Sequence, residues 1–529
     1  MLSGLLFSRK LVNWGDENCV NSNCEFSFRC RFLMMLNMKY KLSQLSCFLI
    51  PGVLLSASCS TDKAEEETVP PNVLMIAVDD LNTWLGCLEG HPNAKTPNID
   101  RLAARGVLFS NAHCQAPLCG PSRASVMTGI RPSTSGIYMM IDDDKIRDDN
   151  PVTRDVLFLP EYFKQNGYHT MGIGKLFHTH APEGVFDESG GRVPGFGPTP
   201  SERFVWNGRI NKEGYGNTST DWGAFPEADS LMPDYLSAQW AIDKLETDYE
   251  QPFFLGVGFL RPHVPWYVPQ KWFDLHPLET IETPPYFKDD LNDLPAIVKE
   301  IDDMPMMPTT EWAIESGEWP KIVQAYLACI SFVDHYIGEV LDALENSKYA
   351  DNTIVVLWSD HGYRIGDKNT FAKHCLWDGG TRAPLIFAGP GIEEGQIIET
   401  PAEMLSIYPT LLELCELEAY EKNEGVSLVP VLKGEKQEVQ PFALTTYGWS
   451  NHGIRTTDWR YIRYQDGSEE LYNIAEDPNE WHNLIPKGGY ETEAAQLREY
   501  LPADNKPYAL HTFYNFNPFF TNDKLKHSE

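Results

Sequence analysis

Charged and imidazole side chains stand directly after four apolar runs of this chain. Asn72–Val78 ends in Asp79-Asp80, Tyr168–Ile173 leads to Lys175 and His178, Pro252–Leu260 to Arg261-Pro262-His263, and Thr353–Trp358 to Asp360-His361. A fifth piece, Leu118-Cys119-Gly120-Pro121-Ser122-Arg123, continues to Thr128-Gly129. Pro121 suits the first turn of a helix and Gly129 its end, so Cys119 falls just before the helix start. Unpaired N–H groups and the positive end of the helix dipole favour an anion there and would stabilise a thiolate. The chemistry to expect is capture of an anion beside a nucleophilic side chain. Taken singly, each residue has an ordinary explanation: Asp79-Asp80 caps the next segment, the histidines are structural, the lysines face solvent and Cys119 is a small buried hydrophobe. Their joint position at the ends of successive elements argues instead for one site.

The elements that must position them follow from periodicity. The four runs are continuously apolar, as strands buried on both faces of a parallel sheet are. Between them lie helical patterns at Ile99–Arg105, Leu159–Asn166, Tyr235–Leu245 and Val323–Leu344. Alternating strands and helices imply an α/β fold with a large, mostly parallel mixed sheet flanked by helices, whose ligands bind at the carboxyl ends of the strands. Pro384–Ala388 reads as the last strand of that sheet, followed by a helix at Met404–Cys415. Beyond it, Phe442–Thr446, Gly453–Arg455, Trp459–Tyr464 and Glu470–Tyr472 alternate as a small antiparallel sheet in an α+β C-terminal subdomain. His452 or Trp449 could reach the pocket from there. The aromatic tail Tyr508–Phe520 is expected to pack back over the body or line a cleft. The boundaries drawn are 72–400 for the catalytic domain and 401–529 for the subdomain. Met139-Met140 and Met304-Pro-Met-Met307 read as packing or loop, and Asp142-Asp143-Asp144 as a solvated loop.

The chain has 529 residues, with 43 Lys+Arg against 75 Asp+Glu and a formal net charge of −32. A field of that sign repels polyanions, which excludes a nucleic-acid binder. Of the cysteines, Cys19, Cys24, Cys30, Cys47 and Cys59 precede the globular region; the rest are too sparse for a disulfide scaffold. Met38-Lys-Tyr-Lys, the apolar stretch Leu45–Leu55 and Ser56-Ala57-Ser58-Cys59 describe a secretory signal over 38–58, with Cys59 as a candidate lipid anchor. Residues 1–37 read as a mis-assigned extension and 59–71 as a solvated linker. The expected location is exported, as a periplasmic or outer-membrane-anchored bacterial lipoprotein, or secreted.

Cys119-x-Pro121-Ser122-Arg123 with Thr128-Gly129 resembles the motif of type I sulfatases, in which the cysteine is oxidised to formylglycine by a separate enzyme. Thr96-Pro97-Asn98-Ile99-Asp100, Ser359-Asp360-His361-Gly362 and the stretch Leu159–Tyr168 with Gly174-Lys175-Leu176-Phe177-His178 fit as well, the last resembling the iduronate-2-sulfatase branch. Arg261-Pro262-His263-Val264-Pro265, Ala372-Lys373-His374 and Glu470-Leu471-Tyr472-Asn473 extend the resemblance over residues 71–485.

The resemblance implies the alkaline-phosphatase-like fold and a single calcium ion held by Asp79, Asp80, Asp360, His361 and an oxygen on modified Cys119. Three carboxylates are hard donors suited to calcium, and the imidazole is the odd member. It implies that a hydroxyl of the hydrated aldehyde attacks sulfur and that the second hydroxyl then expels sulfate, which a serine could not do. Arg123 would hold the formylglycine, with Lys175 and His178 touching it and His178 as base. His263 would protonate the leaving oxygen, and Lys373 would bind the sulfate. The substrate implied is a sulfated oligo- or polysaccharide, a 2-O-sulfated uronic acid of a glycosaminoglycan or an algal polysaccharide such as ulvan. Alternatives are a phosphatase or phosphonate hydrolase on the same superfold, or a glycan-binding lipoprotein without catalysis. The acidic total charge then describes solubility, and the predicted cations of the pocket set substrate preference locally.

Overall fold

The computed structural model describes residues 69–208 and 218–528. The extension 1–37, the signal 38–58, Cys59 and most of the 59–71 linker lie outside them.

The main sheet has eight strands: β1 (Asn72–Val78), β2 (Gly106–Phe109), β3 (His169–Gly174), β4 (Glu188–Gly191), β5 (Phe253–Phe259), β6 (Thr353–Ser359), β7 (Leu385–Ala388) and β8 (Gln396–Ile398). Their order across the sheet is β8-β2-β7-β6-β1-β5-β3-β4. Only β7 runs antiparallel to its neighbours, β2 and β6. Pro384–Ala388 is therefore not the last strand; the short and largely exposed β8 pairs with β2 beyond it. Three residues without an apolar pattern carry too little signal to be read from sequence.

Strand β1 shows why its run is continuous. Leu74, Ile76 and Val78 enter one core, and Val73, Met75 and Ala77 enter another on the opposite face. The first core is built with helices α4 (Pro233–Leu245) and α5 (Trp319–Glu345), the second with α2 (Cys119–Thr128), α3 (Leu159–Gln165) and α6 (Ile407–Leu414). The remaining long helix that covers the sheet, α1 (Pro97–Ala104), packs on α5. Both faces are covered, so alternation disappears from the sequence.

A separate four-stranded antiparallel sheet consists of β9 (Ala443–Thr446), β10 (His452–Arg455), β11 (Trp459–Arg463) and β12 (Glu469–Asn473). One face carries Ile454, Tyr461 and Leu471 against Ala494 and Leu497. The other sends Ile462 and Tyr472 into a cluster with Leu118, Tyr138, Met139, Met140, Met304 and Met307. The methionines are packing residues, as expected. Tyr508, Tyr514 and Phe520 join the same cluster, so the aromatic tail packs back over the body. Arg460 clamps the sheet to the segment after β6, donating to Asp378 at 2.9 Å, and to the loop after β12, donating to Glu480 at 3.0 Å.

Candidate active site

Strands β6, β1, β5 and β3 are adjacent and parallel, so their carboxyl ends lie along one edge. The backbone stays in register just past that edge. Asp79 N–H donates to Phe259 O, Asp360 N–H to Val78 O and Lys175 N–H to Gly258 O. A Cβ on Gly258 would sit 2.3 Å from the Lys175 carbonyl carbon, so glycine is what lets β3 and β5 close together here. Asp80 adopts φ 62°, a left-handed conformation uncommon outside glycine. Its carbonyl accepts from the Tyr326 hydroxyl of α5 at 2.8 Å, and that hydroxyl oxygen accepts in turn from Asn82 N–H at 3.0 Å.

Helix α2 begins at Cys119, and its whole length is buried. The Cys119 sulfur lies 3.0 Å from Lys373 Nζ, 3.3 Å from His361 Nε2 and 3.9 Å from Asp80 Oδ1. Lys373 also donates to Asp80 Oδ1 at 2.6 Å, and Lys175 pairs with Asp79. One turn into α2, Arg123 donates from Nε to Asp360 Oδ2 at 2.8 Å, reaches Asp79 Oδ1 at 3.4 Å, and also binds the carbonyls of Lys175 and Leu176. His263 Nε2 faces Asp80 Oδ2 at 3.8 Å. Nine of the ten residues picked from sequence are thus joined by direct contacts. The tenth, His178, is half-buried after β3, with Nδ1 unpaired among the described residues.

The electrostatics reverse one expectation. Burial, reinforced by the Asp79 charge, pushes the Cys119 thiol up to about 12 despite its place at a helix start. The helix end cannot offset full desolvation next to three carboxylates. An unmodified Cys119 is a neutral thiol and a poor nucleophile. Burial works to raise Asp79, but Lys175, His263, Arg123 and Lys373 together hold it well below the ordinary carboxylate range. Burial lifts Asp80 to about 7, opposed by Lys373 and aided by the charges of Asp79 and Asp360. His178 falls to about 3 through burial and then Lys175, and His263 is also depressed by burial and then Lys373.

These groups fit a divalent cation. Ligand atoms of Asp79, Asp80, Cys119 and His361 lie within 4.8 Å of one another, all buried. Asp80 Oδ2 is buried without a hydrogen-bond partner among the described residues, an acceptor that a cation would satisfy. His361 donates from Nδ1 to Gly362 O at 2.9 Å, which leaves the Nε2 lone pair facing the cluster, as a ligating imidazole requires. Asp360 stands 3.6 Å from His361 Nε2 through Oδ1, which also accepts from Asp80 N–H, while Arg123 takes Oδ2.

Sequence reasoning missed Asp143. The run Asp142–Asp144 is not wholly solvated: Asp143 is buried and accepts from the backbone N–H groups of His178, Thr179 and His180 and from the Thr179 hydroxyl. It fixes the loop that carries His178. Arg192 holds the same loop from outside, donating to the carbonyls of His178 and Thr179. Neither residue lies in a recognisable motif. Asp143→Ala is expected to lower kcat about tenfold to a hundredfold with KM within about threefold. Steady-state kinetics would check this, and an unchanged kcat would mean that the His178 loop needs no such support. Trp449 and His452 do not enter the site: Trp449 stacks on His527, and His452 bonds the Thr446 hydroxyl. All six described cysteines are free.

The buried thiol at a helix start, ringed by carboxylates and fixed cations at the carboxyl edge of the main sheet, is an arrangement that takes up an anion. The family model described as sulfatase matches residues 71–417, and one described as N-sulphoglucosamine sulphohydrolase, C-terminal, matches residues 366–506. The chain belongs to the sulfatase family. A sulfatase of Formosa agariphila is 57% identical, over 90% of this chain and 96% of that one. Human iduronate 2-sulfatase is 29% identical, over 82% of this chain and 95% of its own length. A solved structure described as a 2-O GAG sulfatase superposes with TM-score 0.63 at 24% identity, over 81% of this chain and 90% of that one.

Proposed function

We propose that the protein removes sulfate from a sulfated glycan containing 2-O-sulfated uronic acid, using a formylglycine made from Cys119 and one calcium ion. The observation that carries this reading is the Cys119 sulfur, buried and within 3.3 Å of both Lys373 and His361 at the head of α2. The names of the human relative and of the structural neighbour support the substrate class. When in place, the two groups supply a hydroxyl nucleophile and a positive charge against the sulfate oxygens.

The residues of the chain do the rest. Asp79, Asp80, Asp360 and His361, with an oxygen on residue 119, would hold the ion. Arg123 ties α2 to Asp360 and to the end of β3, which fixes residue 119 relative to the ion site. Lys175, paired with Asp79, would touch the formylglycine, while Lys373 offers its ammonium group to sulfate oxygens, and an arriving sulfate would draw it away from Asp80. His178, neutral and held by the Asp143 loop, is suited to accept a proton. His263 donates to the leaving oxygen once the anion beside it favours its charged form. A separate maturation enzyme must oxidise Cys119. Export follows from the signal at 38–58, with Cys59 as the anchoring residue.

The test is sulfate release by the matured protein from 2-O-sulfated uronate disaccharides of glycosaminoglycans and from ulvan oligosaccharides. Release from either set at the 2-O position is expected. Faster hydrolysis of phosphonate or phosphate esters than of any sulfate ester would overturn the reading in favour of the phosphonate hydrolase alternative.

A further inference from the structure

The segment 192–208 exposes several apolar side chains, among them Val193, Phe196, Phe204 and Val205. One of these is aimed at the site. The Phe196 ring lies over the His263 imidazole with centroids 4.5 Å apart and planes 3° from parallel. A single buried cation fixes the backbone on both sides of the stack. Arg261 donates from Nη2 to the Phe196 carbonyl at 3.0 Å, from Nη1 to the His263 carbonyl at 3.1 Å and from Nε to the Tyr267 carbonyl at 3.0 Å. Asp234 anchors Arg261 in turn, accepting from its N–H at 3.0 Å and from that of Leu260 at 2.6 Å.

Among the described residues the His263 imidazole makes one hydrogen bond, from Nδ1 to Val264 O at 2.7 Å, and its Nε2 faces Asp80 Oδ2 at 3.8 Å, beyond hydrogen-bond reach. One bond at one edge leaves an imidazole free to tilt about that contact. A flat ring stacked on its face removes the tilt, and the direction of Nε2 is then set by Phe196 as much as by Val264. Phe196 is 36% exposed, so shortening it removes the stack without opening the core.

We propose that Phe196 is a positioning residue for proton donation, holding the plane of His263 so that Nε2 meets the leaving oxygen. This rests on the reading of His263 as the proton donor. In the step served, the bond between sulfur and the alcohol oxygen breaks as sulfur takes the oxygen of an attacking hydroxyl, whose own proton passes to the base, read as His178. The electron pair of the broken bond stays on the alcohol oxygen, which takes the Nε2 proton and leaves a neutral imidazole.

A proton donor matters most when the leaving group is a poor one, and this separates positioning from general damage. The experiment compares the matured wild type with Phe196→Ala, Phe196→Tyr and His263→Ala. The probes are aryl sulfates from 4-nitrophenyl to 4-methoxyphenyl and a 2-O-sulfated uronate disaccharide. His263→Ala is expected to lose about 100-fold or more on the disaccharide and far less on 4-nitrophenyl sulfate. Phe196→Ala should show the same selectivity at a smaller scale, about tenfold in kcat with KM nearly unchanged, and Phe196→Tyr should restore the wild-type pattern. If His263→Ala is selective but Phe196→Ala loses equally on all esters, loses only in KM, or loses nothing, the inference fails and the function stands. If His263→Ala shows no dependence on the leaving group, the donor assignment fails and this inference with it.

Discussion

Cys119→Ala loses sulfate-ester hydrolysis by about 10⁴-fold or more in kcat, the scale seen when a nucleophile is deleted from a site that otherwise stays intact. The argument starts from burial. The thiol sits at about 12, because desolvation and the Asp79 charge outweigh the nearby ammonium groups. At neutral pH, the unmodified side chain is therefore a neutral thiol. On the proposed reading, activity depends on conversion of Cys119. Mass spectrometry of the Cys119 peptide from active protein should show an aldehyde in place of the thiol, and the specific activity of different preparations should track its fraction. Truncating a small buried side chain costs about 1 kcal/mol of stability, so the variant should melt close to wild type. Activity of Cys119→Ala comparable to wild type on 4-nitrophenyl sulfate would place the nucleophile elsewhere.

Stripping divalent cations should have an effect of similar rank. Asp79 and Asp80 are both fully buried side by side, and Asp80 Oδ2 has no hydrogen-bond partner among the described residues. Two adjacent buried carboxylates repel, and Lys373 and Lys175 offset that repulsion only in part. A calcium ion held by Asp79, Asp80, Asp360 and His361 would remove the conflict. Calcium at a hundredfold excess over its Kd should stabilise the fold by about 2.7 kcal/mol, read as a rise of a few degrees in Tm. Chelation should lower kcat by about 100-fold or more, with recovery on adding calcium back. Asp80→Asn should be nearly inactive and should show no calcium-dependent rise in Tm. A chelated protein with full activity and an unchanged melting curve would rule out a metal at this cluster.

How much of this was legible beforehand depends on the kind of signal each residue leaves. The strands β1, β3, β5 and β6 announce themselves because both faces of each are covered, and the polar residue that ends each run marks the sheet edge. Cys119 and Arg123 are legible as a motif. Asp143 was not, since its neighbours Asp142 and Asp144 are exposed and the three carboxylates look alike until the loop from β3 closes over one of them. Phe196 was equally silent, and Arg261 was legible only as part of a motif, not as the residue that binds the carbonyls on both sides of the stack. Their roles come from contacts across sequence gaps of 67 and 65 residues, and no local pattern encodes such a meeting.

The residue types and their order along the chain determined by themselves that this is an α/β protein with one anion-directed site and which side chains would furnish it. Tertiary structure decided the state of those side chains. The helix start at Cys119 argued for a thiolate, yet full burial beside Asp79, Asp80 and Asp360 makes the thiol neutral. The total charge of −32 repels polyanions at long range, and the sequence gathered Arg123, Lys175 and Lys373 at one site only through resemblance; the fold puts them against the buried carboxylates of Asp79, Asp80 and Asp360. Both outcomes have the same cause. Charge and helix dipole can be read along a sequence, but desolvation and the distance between charges exist only once the strands are laid side by side.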